Sequence, residues 1–129
     1  MDFIIHFFDP LQDFHHVALL LLRVVIAAIF IAHGPRKLRG KSWFMRFIGV
    51  METIGGLALI FGFLTQFASL GLSIIMFGAL YKKLFEWNTP FASTEKMGWE
   101  FDLLILTGCL FLMIYTGGTL SVDYEMFGI

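Results

Sequence analysis

Two charged side chains lie inside long apolar runs. Arg23 follows Leu19-Leu20-Leu21-Leu22 and precedes Val24-Val25-Ile26, and Glu52 sits between Val50-Met51 and Ile54. A charge at mid-membrane costs about 2.5–3.5 kcal/mol on insertion scales, so such residues are kept for pairing or for function. Arg23 lies ten residues before His33, and Glu52 lies eight after Phe44. If helices begin and end at those points, the two depths differ by ~3 Å, and an Arg23–Glu52 pair is expected. It is either a structural ion pair or the lining of a ligand cavity, where Arg presents five fixed donors. Other candidates for binding a ligand gather toward the same end. His33 carries an imidazole, a ring that can relay protons or cap a helix. Lys82 ends an apolar run, and Trp99-Glu100-Phe101-Asp102 opens the last one. Glu100 and Asp102 are ~200° apart on a helix, so only one can face inward, and the pattern leaves open which. No catalytic residue is identified. No metal site is expected either, since His6, His15 and His16 are expected near the opposite membrane face from His33 and no HxxxH or CxxC spacing occurs.

The elements that carry these residues are four apolar segments, at approximately 16–33, 44–64, 67–85 and 99–116. They are continuously apolar rather than alternating, which favours helices over strands, and each approaches the ~20 residues that a bilayer crossing needs. The 129 residues are 58% hydrophobic and 15% charged, against roughly 25% charged in soluble chains. Too few polar groups remain to cover a domain of this size in water, so lipid must cover it. The fold class expected is an all-α, integral-membrane bundle of four antiparallel, up-down helices in a single domain. His33-Gly34-Pro35 is read as the end of the first helix, because proline disfavours helix in the residue before it. Thr65-Gln66 separates the second and third helices, Asn88-Thr89-Pro90 starts the loop before the fourth, and Gly117-Gly118 closes it.

Charge placement sets the expected orientation. Arg36, Lys37, Arg39, Lys41 and Arg46 crowd the first connection, and Lys82, Lys83 and Lys96 the region before the fourth helix. Both tails carry acids and no Lys or Arg. Basic connections stay in the cytoplasm, so both termini are expected outside, in a plasma or inner membrane. Trp43, Trp87 and Trp99 fall at the cytoplasmic boundary as anchors. Glycines at 49 and 56, beside Thr53, and at the seven-residue spacings 55/62 and 71/78 are read as sites of close helix packing. Cys109 is the only cysteine and has no partner for an intrachain disulfide.

Four features occur in order: Leu22-Arg23; His33-Gly34 followed by Lys37; Glu52 followed by Gly55-Gly56; and Gly98-Trp99-Glu100-Phe101-Asp102. This succession, spread over Leu19 to Asp123, resembles the DoxX family of small four-helix membrane proteins. The Lys82-Lys83 pair departs from the family pattern, near where many relatives carry a histidine. The resemblance implies the fold and a redox setting linked to quinones. It yields shared polar positions and no catalytic residues. The expected function is therefore a quinone- or quinol-interacting accessory subunit without a redox cofactor of its own. Its ligand-binding residues are then Arg23, His33, Glu52, Lys82, Trp99, Glu100 and Asp102. Two other readings are a non-catalytic assembly protein and a small proton-coupled transporter acting as an oligomer. The expected partners are membrane lipid, a redox partner protein and further copies of the chain. Nucleic acid is not among them.

Overall fold

The computed structural model describes residues 1–92, 98–115, 118 and 120–128. Among these every regular element is a helix. Two short helices, α1 (Asp2–His6) and α2 (Asp9–Gln12), precede four long ones. These are α3 (His15–Leu38), α4 (Trp43–Phe61), α5 (Thr65–Tyr81), which continues as a π-helical segment (Lys82–Glu86), and α6 (Trp99–Tyr115). A short α7 (Val122–Phe127) follows. Among the described residues, three helical stretches are long and apolar enough to cross a membrane: His15–Leu38, Trp43–Phe61 and Thr65–Glu86. At 17 residues, α6 is shorter, though mostly apolar after Asp102.

Side chains with large apolar area point both ways. The core is drawn from all four long helices and includes Leu19, Ala27, Phe30, Leu59, Leu72, Leu106 and Leu112. Phe67, Ile74, Phe77 and Ile114 lie mostly exposed on the outer faces. A soluble domain hides such residues, and lipid makes hiding them unnecessary. Close approach comes from small residues: a Cβ on Gly49 would fall 2.7 Å from the Gly34 carbonyl oxygen, and one on Gly56 would fall 2.8 Å from Ile31 Cγ1. Gly55 meets Leu72 in the same way across α4 and α5.

Three expectations are corrected. The first helix does not stop at His33-Gly34-Pro35 but continues to Leu38. Proline inside a helix removes one hydrogen bond and costs about 3 kcal/mol. Here the tight contact of Gly34 with Gly49 and Thr53 and the ion pair made by Lys37 beyond it hold the helix together across Pro35. The connection between α4 and α5 is Gly62–Leu64, and Thr65-Gln66 belongs to α5. Gly62 and Leu64 both take left-handed backbone angles, φ +70° and +48°, which reverse the chain within three residues. Finally, Gly71 and Gly78 are not points of close helix approach: among the described residues, a Cβ on either would meet no atom within 4 Å. The buried face of α5 is a different stripe, Thr65, Ser69, Leu72, Ser73 and Met76. Lys96, Thr116 and Gly117 lie outside the described residues.

Candidate functional site

The polar side chains of the interior fall into two groups, one at each end of the long helices. At the end where α4 turns into α5, Arg23 is 1% exposed. Its guanidinium donates to the carbonyl oxygens of Leu120, at 2.7 Å, and Ile60, at 3.4 Å. Asp123 on α7 lends it electrostatic support. The Asp123 carboxylate accepts from the backbone N–H groups of Leu64 and Thr65, at 2.6 and 2.7 Å. Those are the unsatisfied donors that open α5, and a carboxylate there also meets the positive end of the helix. Asp123 N–H in turn donates to the Gly62 carbonyl, at 2.9 Å. Arg23 therefore ties α3 to the α4–α5 turn and to the C-terminal segment.

At the opposite end lie two carboxylate–lysine pairs. Glu52 on α4, 2% exposed, accepts from Lys37 Nζ on α3 at 2.6 Å. Asp102 on α6, 5% exposed, lies 2.7 Å from Lys83 Nζ in the π-helical segment after α5. Each of the four long helical stretches thus contributes one charge. The second oxygen of Glu52, Oε2, is buried with no hydrogen-bond partner among the described residues. His33, half-buried on α3, donates from Nδ1 to the Ile29 carbonyl at 2.8 Å. With Nδ1 as the donor, Nε2 is the nitrogen left to face other groups, and the ring centroid lies 6.0 Å from that of Phe101. Lys82 stands over the Phe44 ring, 5.7 Å from its centroid, a cation–π contact between the end of α5 and the start of α4.

The expected Arg23–Glu52 pair is not formed. Contacts between α3 and α4 match Gly34 with Gly49, Ala27 with Gly56 and Arg23 with Ile60. Arg23 therefore stands about eight residues along α4 from Glu52, roughly 12 Å away at 1.5 Å per residue. Because α3 continues past His33, Lys37 reaches Glu52 instead. The choice between Glu100 and Asp102 is also settled: Asp102 is buried, Glu100 is exposed, and Trp99 is half-buried. Of the seven expected site residues, His33, Glu52, Lys82, Trp99 and Asp102 are placed toward one end, with Glu100 turned outward. Arg23 belongs to the other end. Sequence reasoning did not put Lys37, Lys83 or Asp123 in the site. The hydroxyl stripe Thr65, Ser69 and Ser73 was passed over too, although its spacing of four inside an apolar run was a readable sign. Among the described residues, no three His, Cys, Asp or Glu side chains gather closely enough to hold a metal ion.

The profile of the DoxX-like family matches residues 21–94, a stretch that holds Arg23, His33, Lys37, Glu52, Lys82 and Lys83. The chain belongs to the DoxX-like family. It is 28% identical over 125 residues to a Bacillus subtilis (strain 168) protein named "Putative oxidoreductase CatD", across 86% of this chain and 88% of that one. No solved structure matches it. Family membership and the three long apolar helices together identify a membrane protein.

Proposed function

We propose that this DoxX-like protein is a quinone- or quinol-interacting accessory subunit of a membrane redox system. In this reading α3, α4, α5 and α6 form an antiparallel bundle across the plasma or inner membrane, with the two acid–lysine pairs toward the cytoplasm. The observation that carries it is the pairing of Glu52 with Lys37 and Asp102 with Lys83 inside an apolar interior. Reduction of a quinone takes two electrons and two protons. In each pair the lysine ammonium carries the proton and the carboxylate can take it over, so the pair can pass a proton to a reduced quinone oxygen, and His33 Nε2 can accept a proton and pass it on. The electrons come from a redox partner protein, in keeping with a relative whose name includes oxidoreductase.

The network around Arg23 favours a second reading, in which the polar residues serve assembly alone. Arg23 bonds the Ile60 and Leu120 carbonyls and lies in the field of Asp123, contacts that join α3 to the α4–α5 turn and to the C-terminal segment.

The test is titration of the purified protein in detergent with a short-chain ubiquinone, following thermal stability and tryptophan fluorescence. Trp99 opens α6 beside the acids of its first turn, so saturable quenching is expected. At a quinone concentration one hundred times the dissociation constant, the folded state gains ~2.7 kcal/mol. A melting temperature and fluorescence that do not respond to quinone would leave the assembly reading in its place.

A further inference from the structure

Two grooves run along the outer faces of α5. One, of about 290 Å³, lies between α4 and α5 beside Gly71, and among the described residues its lining carries no polar side chain. The other, of about 550 Å³, lies between α5 and α6, lined among others by Ser73, Ile74, Phe77, Gly78, Tyr81 and Leu106. Its size falls within the usual range for small-molecule sites, about 300–1,000 Å³. Ile74 and Phe77 are largely exposed, so anything occupying this groove arrives from the bilayer.

We infer that the α5–α6 groove is the lateral entry and docking site for a flat lipophilic carbonyl compound of the quinone type. The inference rests on the quinone reading above and gives it a location. Three observations select this ligand chemistry over an ordinary acyl chain. Ser73 lines the groove, is 5% exposed, and its hydroxyl has no hydrogen-bond partner among the described residues. Thr65 and Ser69 on the same stripe also lack a partner among the described residues, but of the three only Ser73 lines this groove; Thr53 and Thr107 bond back to the carbonyls of Gly49 and Leu103 on their own helices. Leaving a buried donor without a partner is costly. A ligand carbonyl relieves that cost and a hydrocarbon tail does not. Serine has a single rotatable χ1, so turning the hydroxyl toward a ligand is cheap.

The second observation is Gly78, where a Cβ would meet nothing within 4 Å. Together with Phe77 and Tyr81 it leaves a bare ledge of helix backbone beside two aromatic rings, the surface on which a planar ring lies flat. Third, the groove leads toward chemistry. Lys83 and Asp102 pair across the inner ends of the same two helical stretches. Lys83 follows Tyr81 by two residues, and Asp102 precedes Leu106 by one helical turn. A headgroup sliding along the groove is brought toward the α5–α6 acid–lysine pair.

The experiment compares wild type with Ser73→Ala, Gly78→Leu and Gly71→Leu, each as the full chain in detergent, titrated with the same short-chain ubiquinone. Gly78→Leu adds bulk at the α5–α6 groove and Gly71→Leu at the α4–α5 groove, each at a position where a Cβ meets no described atom within 4 Å. Melting of the ligand-free variants checks that each is folded. The expected result is unchanged affinity for Gly71→Leu and at least a tenfold loss for Gly78→Leu. Loss of one neutral hydrogen bond in Ser73→Ala should weaken binding about fivefold. Wild-type affinity in both Ser73→Ala and Gly78→Leu would overturn the groove while leaving the quinone reading in force. Equal losses in Gly71→Leu and Gly78→Leu would mark a non-specific effect of added bulk and would also overturn it. No binding to wild type would remove both.

Discussion

At the residue scale, the ion pair between Lys37 and Glu52 is asymmetric. Glu52 is almost wholly buried, whereas the Lys37 side chain is 29% exposed and its long stem can carry the ammonium toward the interface. Removing the lysine leaves a carboxylate in an apolar interior, and removing the acid leaves a lysine that can swing out. Lys37→Met should therefore cost about 3 kcal/mol, at the lower end of the range for breaking buried pairs, and Glu52→Gln nearer ~1 kcal/mol. The double variant should recover part of the loss. Arg23→Gln and Glu52→Gln, by contrast, should add within ~0.5 kcal/mol, as sites without shared partners do. A double-mutant cycle on thermal unfolding in detergent measures both couplings, and a coupling between Arg23 and Glu52 as large as that between Lys37 and Glu52 would contradict the arrangement. Residue type alone singled out Arg23 and Glu52, because each is a charge in an apolar run. Their partners could not be read the same way. Ending α3 at His33 instead of Leu38 is an error of five residues, roughly 7.5 Å along the axis, more than enough to exchange one basic partner for another.

At the element scale, the contact between α3 and α4 is set by small residues, and it predicts where added bulk is tolerated. A Cβ on Gly56 would meet Ile31 Cγ1 at 2.8 Å and the Ala27 carbonyl oxygen at 3.1 Å, the latter a backbone atom that cannot yield. Gly56→Leu should lower stability by about 1–3 kcal/mol, the usual cost of overpacking. Gly71→Leu, into open space, should leave the ligand-free melting temperature near wild type. Similar melting of both variants in detergent would mean that the α3–α4 face is not packed as described. Both glycine patterns looked alike in the sequence, since seven-residue spacing marks a face without saying what that face meets. On α5 the rotation follows from side chains that spacing of glycines does not report: Thr65, Ser69 and Ser73 turn inward, which carries Gly71 and Gly78 outward. The α4–α5 turn was legible only as a short connection. Its geometry depends on Asp123, nearly sixty residues downstream, and no local pattern reveals a cap supplied from that distance.

At the scale of the whole molecule, the two polar ends differ in chemistry as well as position. The Arg23 end is closed by the chain's own backbone and by Asp123, with no basic residue in the tails beside it. The other end holds the acid–lysine pairs and adjoins Arg36, Arg39, Lys41 and Arg46. The hydropathy pattern made this division readable, because lipid imposes long apolar stretches and the distribution of Lys and Arg follows the side of the membrane. It predicts that the Lys41 connection faces the cytoplasm and that the α7 segment faces out. Cys109 is fully buried, so single cysteines placed at the surface report without interference from it. In intact cells, a membrane-impermeant maleimide should label Glu125→Cys and leave Lys41→Cys unlabelled until the membrane is opened. Glu125 is exposed on α7, and Lys41 lies in the exposed connection between α3 and α4, so neither substitution disturbs the core and both sites are reachable from water. The opposite labelling would place the acid–lysine pairs on the outer side. Protons for any quinone chemistry at Glu52 and Asp102 would then be exchanged with the outside rather than with the cytoplasm, and the partner delivering electrons would have to be sought there too.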